Sequence, residues 1–136
     1  MTDAELLAII AQAEREGWTE LDLWGNDLEG LSSEIGRLQS LEKFILGKFD
    51  YKEGKSKGNR LTSIPQEIFQ LINLKELSIA FNKITVIPDA ISNLANLTTL
   101  DLNSNQKSLH LKSTKSNSAM MTDKPTLHKP YQQINS

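Results

Sequence analysis

The feature that most constrains this chain is a repeat. Aligned on leucines, residues 18–40 read WTELDLWGNDLEGLSSEIGRLQS and residues 74–96 read LKELSIAFNKITVIPDAISNLAN, both 23 residues long. Between them, residues 41–73 carry the same pattern in 33 residues, one period with ten residues inserted between Leu46 and Asn59. A fourth copy starts at Leu97 with LTTLDLNSNQ. A unit this short cannot bury its own apolar face, so successive units must stack and share one core.

Each recurring position has a physical task. Leu21 and Leu23, Phe44 and Leu46, Leu77 and Ile79, and Leu100 and Leu102 alternate with polar or small residues, the period of a strand with one buried face. Asn26, Asn59, Asn82 and Asn105 recur where each strand must turn, and an amide there can satisfy backbone groups of its own turn and of the next coil. Pro65 and Pro88, with Ser32 in the same place, open a returning segment in which Ile35 and Leu38, Ile68 and Leu71, and Ile91 and Leu94 sit three apart. That spacing predicts short helical or 3₁₀ pieces facing inward.

Over residues 18–105 this pattern resembles the leucine-rich repeat family, L-x-x-L-x-L-x-x-N-x-L. The expected fold is α/β, a short solenoid of about four coils with parallel strands on its concave face and short helical or 3₁₀ pieces on its convex face. Residues 1–17 read as an N-terminal capping helix: Thr2 and Glu5 stand at capping-box spacing, Leu6, Ile9, Ile10 and Ala13 form an apolar stripe, and Gly17 is the stop. Residues 18–106 hold the repeats, interrupted by the insertion at 47–58. From 107 the pattern fails: Lys107 stands where the next leucine is due, and the rest is rich in Ser, Thr, Lys, Asn, Gln and Pro. Residues 107–136 are expected to be a largely disordered tail, with SLHLKST supplying a short strand or turn over the last coil. An open last coil presents apolar side chains and a strand edge, so self-association through the C-terminal end of the solenoid is expected.

The chemistry of the chain excludes more than it suggests. With no cysteine there is neither a disulfide nor a thiolate metal site, and a reducing, cytoplasmic setting is expected. The acidic start MTDAELLAIIAQ lacks the basic flank of a secretory signal, and neither a membrane span nor a lipidation motif is found. His110 and His128 lie 18 residues apart in the tail and suggest no metal site or acid/base pair. No G-x-S-x-G or H-E-x-x-H occurs. Gly54, Lys55 and Ser56 match the end of a phosphate loop, but Phe49 occupies the place of its first glycine and no long apolar helix follows. Nucleotide binding through this triplet is kept as a minor alternative. The tail lysines are scattered and Tyr131 is the tail's only aromatic residue, which argues against nucleic acid. The chain reads as a non-enzyme without cofactor or metal.

What remains is the surface that stacked strands create, a platform for another macromolecule. Its outward positions are Glu20, Asp22 and Trp24, then Lys43 and Ile45, then Glu76, Ser78 and Ala80, and last Thr99, Asp101 and Asn103. These are the expected protein-binding residues, with Trp24 and Ile45 as anchors. Lys48, Lys52, Lys55 and Lys57, with Phe49 and Tyr51, would add a second contact element at the rim.

The blocks EREGWTELDLWGNDLEGL and FILGKFDYKEGKSKGNRLTSIPQEI further resemble the N-terminal repeat region of bacterial Roco proteins, over about the first 106 residues. In that family such repeats precede a Roc GTPase domain and a COR dimerisation domain. The resemblance implies the recognition region of a signalling protein; no segment of this sequence corresponds to the GTPase domain. Two readings follow: a free-standing interaction module with an unidentified protein partner, or a shortened relative of a Roco GTPase.

Overall fold

The computed structural model of the protein describes residues 1–105 and 110–111. The chain opens with helix α1 (Asp3–Glu16). Its ends form as the sequence dictates: Thr2 Oγ1 accepts from the N–H of Glu5 while Glu5 Oε1 accepts from that of Thr2, and Gly17 ends the helix in the left-handed region at φ 62°. Leu6, Ile10 and Ala13 are buried in the common core. Arg37 pairs with Glu14 at 3.2 Å, tying the helix to the first coil. α1 therefore closes the N-terminal end of the stack.

Four strands, β1 (Glu20–Asp22), β2 (Lys43–Ile45), β5 (Glu76–Ser78) and β7 (Thr99–Asp101), form one parallel sheet in that order. Their register places Leu21, Phe44, Leu77 and Leu100 side by side. Each strand is only three residues long, so no single coil is stable by itself; the apolar row it shares with its neighbours holds it. Leu21, Leu23, Phe44, Leu46, Leu77, Ile79, Leu100 and Leu102 are all buried. Each such side chain contributes about 1.5–3 kcal/mol relative to exposure.

Opposite the sheet lie three 3₁₀ turns, Ser33–Arg37, Gln66–Gln70 and Asp89–Asn93. They begin after Ser32, Pro65 and Pro88, whose carbonyls accept from Ile35, Ile68 and Ile91. Proline suits this place because its φ is already fixed and its missing N–H is not needed. The three isoleucines are fully buried. The expected α/β solenoid with 3₁₀ pieces on its convex side is the fold observed.

The asparagines form an internal ladder. Asn59 Nδ2 donates to the carbonyls of Leu23 and Leu46, both at 2.9 Å, and its Oδ1 accepts from the N–H groups of Asn26 and Leu28 in the preceding coil. Asn82 serves Leu46, Ile79 and Ala80 and accepts from Leu61 N–H. Asn105 serves Ile79 and Leu102 and accepts from Ile84 N–H. The side-chain amide of Asn26, with no repeat coil before it, donates within its own turn, to the carbonyls of Leu23 and Trp24.

Two further sheets are present among the described residues. β3 (Lys48–Asp50) and β4 (Lys55–Lys57) pair antiparallel inside the insertion. β6 (Val86–Ile87) pairs in parallel with β8 (His110–Leu111), so SLHLKST does supply a strand. The remainder of the expected disordered tail lies outside the described residues.

Candidate functional site: the concave face and its hairpin

The insertion is built rather than loose. Residues 48–57 form a hairpin whose turn is set by Asp50, with Oδ1 accepting from the N–H groups of Lys52 and Glu53, and by Gly54 at φ 66°. Register pairs Lys48 with Lys57, Phe49 with Ser56 and Asp50 with Lys55. Because paired residues share a face, one side of the ribbon carries Lys48, Asp50, Lys55 and Lys57 and the other carries Phe49 and Ser56.

The charged side rests on Trp24. Lys48 Nζ lies 4.5 Å and Lys57 Nζ 4.7 Å from the centroid of its ring, two cation–π contacts on one indole. Lys57 also pairs with Glu53 and, at 3.3 Å, with Asp50. Hydrogen bonding to Glu53 holds the Lys57 ammonium above its ordinary range, desolvation opposing and Asp50 assisting. At Asp50 desolvation raises the carboxyl, but the N–H groups of Glu53 and Lys52 together with Lys57 outweigh it and keep the group below the usual carboxylate range. The aromatic side faces the third coil: Phe49 stacks edge-on with Tyr51 at 4.9 Å and lies 6.3 Å from Phe81. Tyr51 is 88% exposed and Phe49 39%. Phe81 itself has φ 56°, a left-handed conformation that costs a bulky residue about 1–2 kcal/mol and that its place in the turn imposes.

The roots of the hairpin need glycine. A Cβ on Gly47 would stand 1.7 Å from the carbonyl oxygen of Ala80, and one on Gly58 would stand 1.7 Å from that of Phe81. Ser78 Oγ donates to the Gly47 carbonyl. The next coil thus packs directly against the hairpin's base.

This packing corrects the expectation of a fully open face. Ile45, Ser78 and Ala80 are closed to solvent, the last two because the root of the hairpin lies against them; Ile45 is no exposed anchor. Trp24 is half-buried beneath the two lysines. Glu20, Asp22 and Thr99 are exposed, and Lys43, Glu76, Asp101 and Asn103 are partly so. Lys43 and Glu76 approach across the sheet at 3.9 Å. Glu20, Asp22 and Asp101 have no ion-pair partner among the described residues. Burial pushes the Asp101 carboxyl up, and the Asn103 N–H, donating to its Oδ1 at 2.9 Å, offsets part of that rise. Asn103 Oδ1 is buried without a hydrogen-bond partner among the described residues.

Sequence alone gives the segment 47–58 as an insertion at the rim, without its strands. Its signal was present: alternation in KFD and KSK on either side of a turn with Asp50 and Gly54 at its ends. The Gly54-Lys55-Ser56 triplet spans the end of that turn and the start of β4, not a strand-to-helix junction with N–H groups converging on an anion. Among the described residues no group of His, Asp and Glu is arranged to hold a metal ion, and no helix is long and apolar enough to cross a membrane.

A family model described as leucine rich repeat matches residues 57–106, from the last residue of the hairpin to one residue past Asn105. The fold is a leucine-rich-repeat solenoid. The crystal structure of an internalin from Listeria monocytogenes aligns with 84% of this chain at 24% identity and a TM-score of 0.55. A leucine-rich-repeat protein from Leptospira interrogans aligns with 76% of it at 29% identity and a TM-score of 0.42. The alignments cover 31% and 33% of those two chains, so this chain spans about a third of their length. No curated protein matches it.

Proposed function

We propose that this protein is a non-catalytic protein-interaction module that binds a partner across its concave leucine-rich-repeat face, with the inserted hairpin as one wall of the site. Repeat solenoids of this kind generally serve protein–protein interaction. The observation that carries the reading is the hairpin itself: a paired element, rooted through two obligatory glycines and latched onto Trp24, that holds Tyr51 and Phe49 exposed on the side of the third coil. Exposed aromatics on a rigid support cost little entropy to bury and commonly anchor interfaces. The cysteine-free composition supports a reducing, cytoplasmic setting.

The test places a photo-crosslinking amino acid at Asp22 or Tyr51, and as control at Gln70 on the convex side, in the cells that make the protein. A defined adduct from the first two positions and none from the third is expected. Equal capture from all three would remove the concave face as the binding surface.

The two blocks similar to bacterial Roco repeats support a second reading, a relative of that family carrying its recognition region. A Roc-like coding sequence adjoining this one would favour it, and an unrelated neighbouring gene would count against it. In either case the concave face does the recognising.

A further inference from the structure

A groove of about 550 Å³ runs between the start of α1 and the return of the first coil. Its apolar lining is Leu6 and Leu28, both buried, Leu31, half-buried, and Leu7, which is 44% exposed. Leu7 stands beside the stripe of Leu6, Ile10 and Ala13 that caps the stack, so closing the core does not account for it. Asp3, Asp27 and Glu29 also line the groove. Arg60 Nη1 lies 3.5 Å from both Asp27 and Glu29, one guanidinium shared between two carboxylates. The Met1 ammonium donates to the Asn26 carbonyl, and Asp3 has no ion-pair partner among the described residues. The same sign extends around the groove, since residues 1–42 carry ten Asp and Glu against two Arg.

The complementary charge is at the other end of the chain. Residues 112–136, which lie beyond the described residues, carry four Lys against Asp123 and include Met120, Met121 and Leu127. Their point of departure is fixed by register. Leu111 pairs with Ile87, and Ile87, Ile64 and Leu31 hold the same place in the third, second and first coils, each directly before the Pro or Ser that opens a 3₁₀ turn. The chain therefore leaves Leu111 on the flank of the solenoid where the groove opens, three coil spacings from Leu31, about 14 Å. An extended chain covers that distance in about five residues, so residues 120–129 reach the groove with length to spare.

We propose that residues 112–136 fold back across the coils and seat residues 120–129 in this groove, with Met120, Met121 and Leu127 over Leu7 and Leu31 and the tail lysines against Asp3 and Glu29. Burial of the exposed leucine and attraction between the oppositely charged ends both favour the contact. Seated so, the tail ties the last coil to the N-terminal cap.

The test uses the full chain, whose lack of cysteine makes a nitroxide on Leu127→Cys its single spin label. In the isotope-labelled protein, the amide signals of residues 3–7 and 28–32 are expected to broaden, and those of residues 72–75, in the turn between the second 3₁₀ piece and the next strand, are not. Asp3→Asn combined with Glu29→Gln, or salt raised to about 1 M, should reduce the broadening by about twofold or more, as should Leu7→Ser, with circular dichroism unchanged; Glu67→Gln should leave it as it was. No broadening at the groove, equal broadening at residues 72–75, or indifference to both the double variant and Leu7→Ser would overturn the proposal. A mixture of spin-labelled chain without isotope and isotope-labelled chain without nitroxide is expected to show no broadening; broadening there would give the groove to a second copy and overturn the intrachain contact.

Discussion

The second and third coils solve the same problem with different surfaces. In the third, residues 74–96, the chain passes from strand to asparagine through Ala80 and Phe81; in the second, the equivalent places are Gly47 and Gly58, with the hairpin between them. Beneath this difference the interiors match. Phe44 and Leu46 lie beside Leu77 and Ile79, and Asn59 and Asn82 both reach the Leu46 carbonyl. An insertion of ten residues thus leaves the ladder intact because it enters between Leu46 and Asn59 and displaces neither from its place in the stack. Repeat residues determine the stack, and the residues between them determine what the stack presents.

Substitutions in the two coils test whether their interiors are equivalent. The largest effect is expected in the shared core: Phe44→Ala in the interrupted coil and Leu77→Ala in the regular one should each lose about 2–5 kcal/mol in denaturant unfolding. A much smaller loss at Phe44 would mean that the hairpin loosens its own coil. Next come the hairpin's roots, where Gly47→Ala or Gly58→Ala forces a Cβ into a backbone carbonyl and should cost about 1–3 kcal/mol or more. A neutral Gly47→Ala would show that the third coil can retreat from it. In the ladder, Asn59→Ala and Asn82→Ala each strand buried backbone groups and should cost about 1–3 kcal/mol. Thermal unfolding that separates the two widely would mean the coils are not equivalent inside.

Excising residues 48–57, so that Gly47 joins Gly58, should change stability by only about 1 kcal/mol, since no core side chain or ladder bond is removed. Trp24, freed of Lys48 and Lys57, should then shift its fluorescence to the red in a Trp18→Phe background, and loss of cooperative unfolding would show the hairpin to be structural. The smallest effect is expected at Asp101. Its folded carboxyl is raised by burial, so its favourable contribution is present below the unfolded pKa and disappears as pH rises through the folded one. Asp101→Asn should therefore raise Tm slightly at neutral pH, with the gain vanishing in acid; a gain that is independent of pH would assign it to something other than charge.

The stack was legible because its signals are local and periodic. Leucine alternation, the asparagine at each turn, Pro65 and Pro88 before the 3₁₀ turns and the capping box of α1 each act within a few residues, and the period repeats them. The outward rows were legible only as positions along strands. That Ile45, Ser78 and Ala80 would be closed, that Trp24 would lie under two lysines, and that Asp22 and Asp101 would stand at the ends of one row depend on which residues of different coils come together. Sequence alone determined that this chain must stack, because no coil can bury its own apolar face. Only the tertiary structure decided where the hairpin lies and which carboxylates remain unpaired, because those follow from register and close approach between segments far apart in the chain.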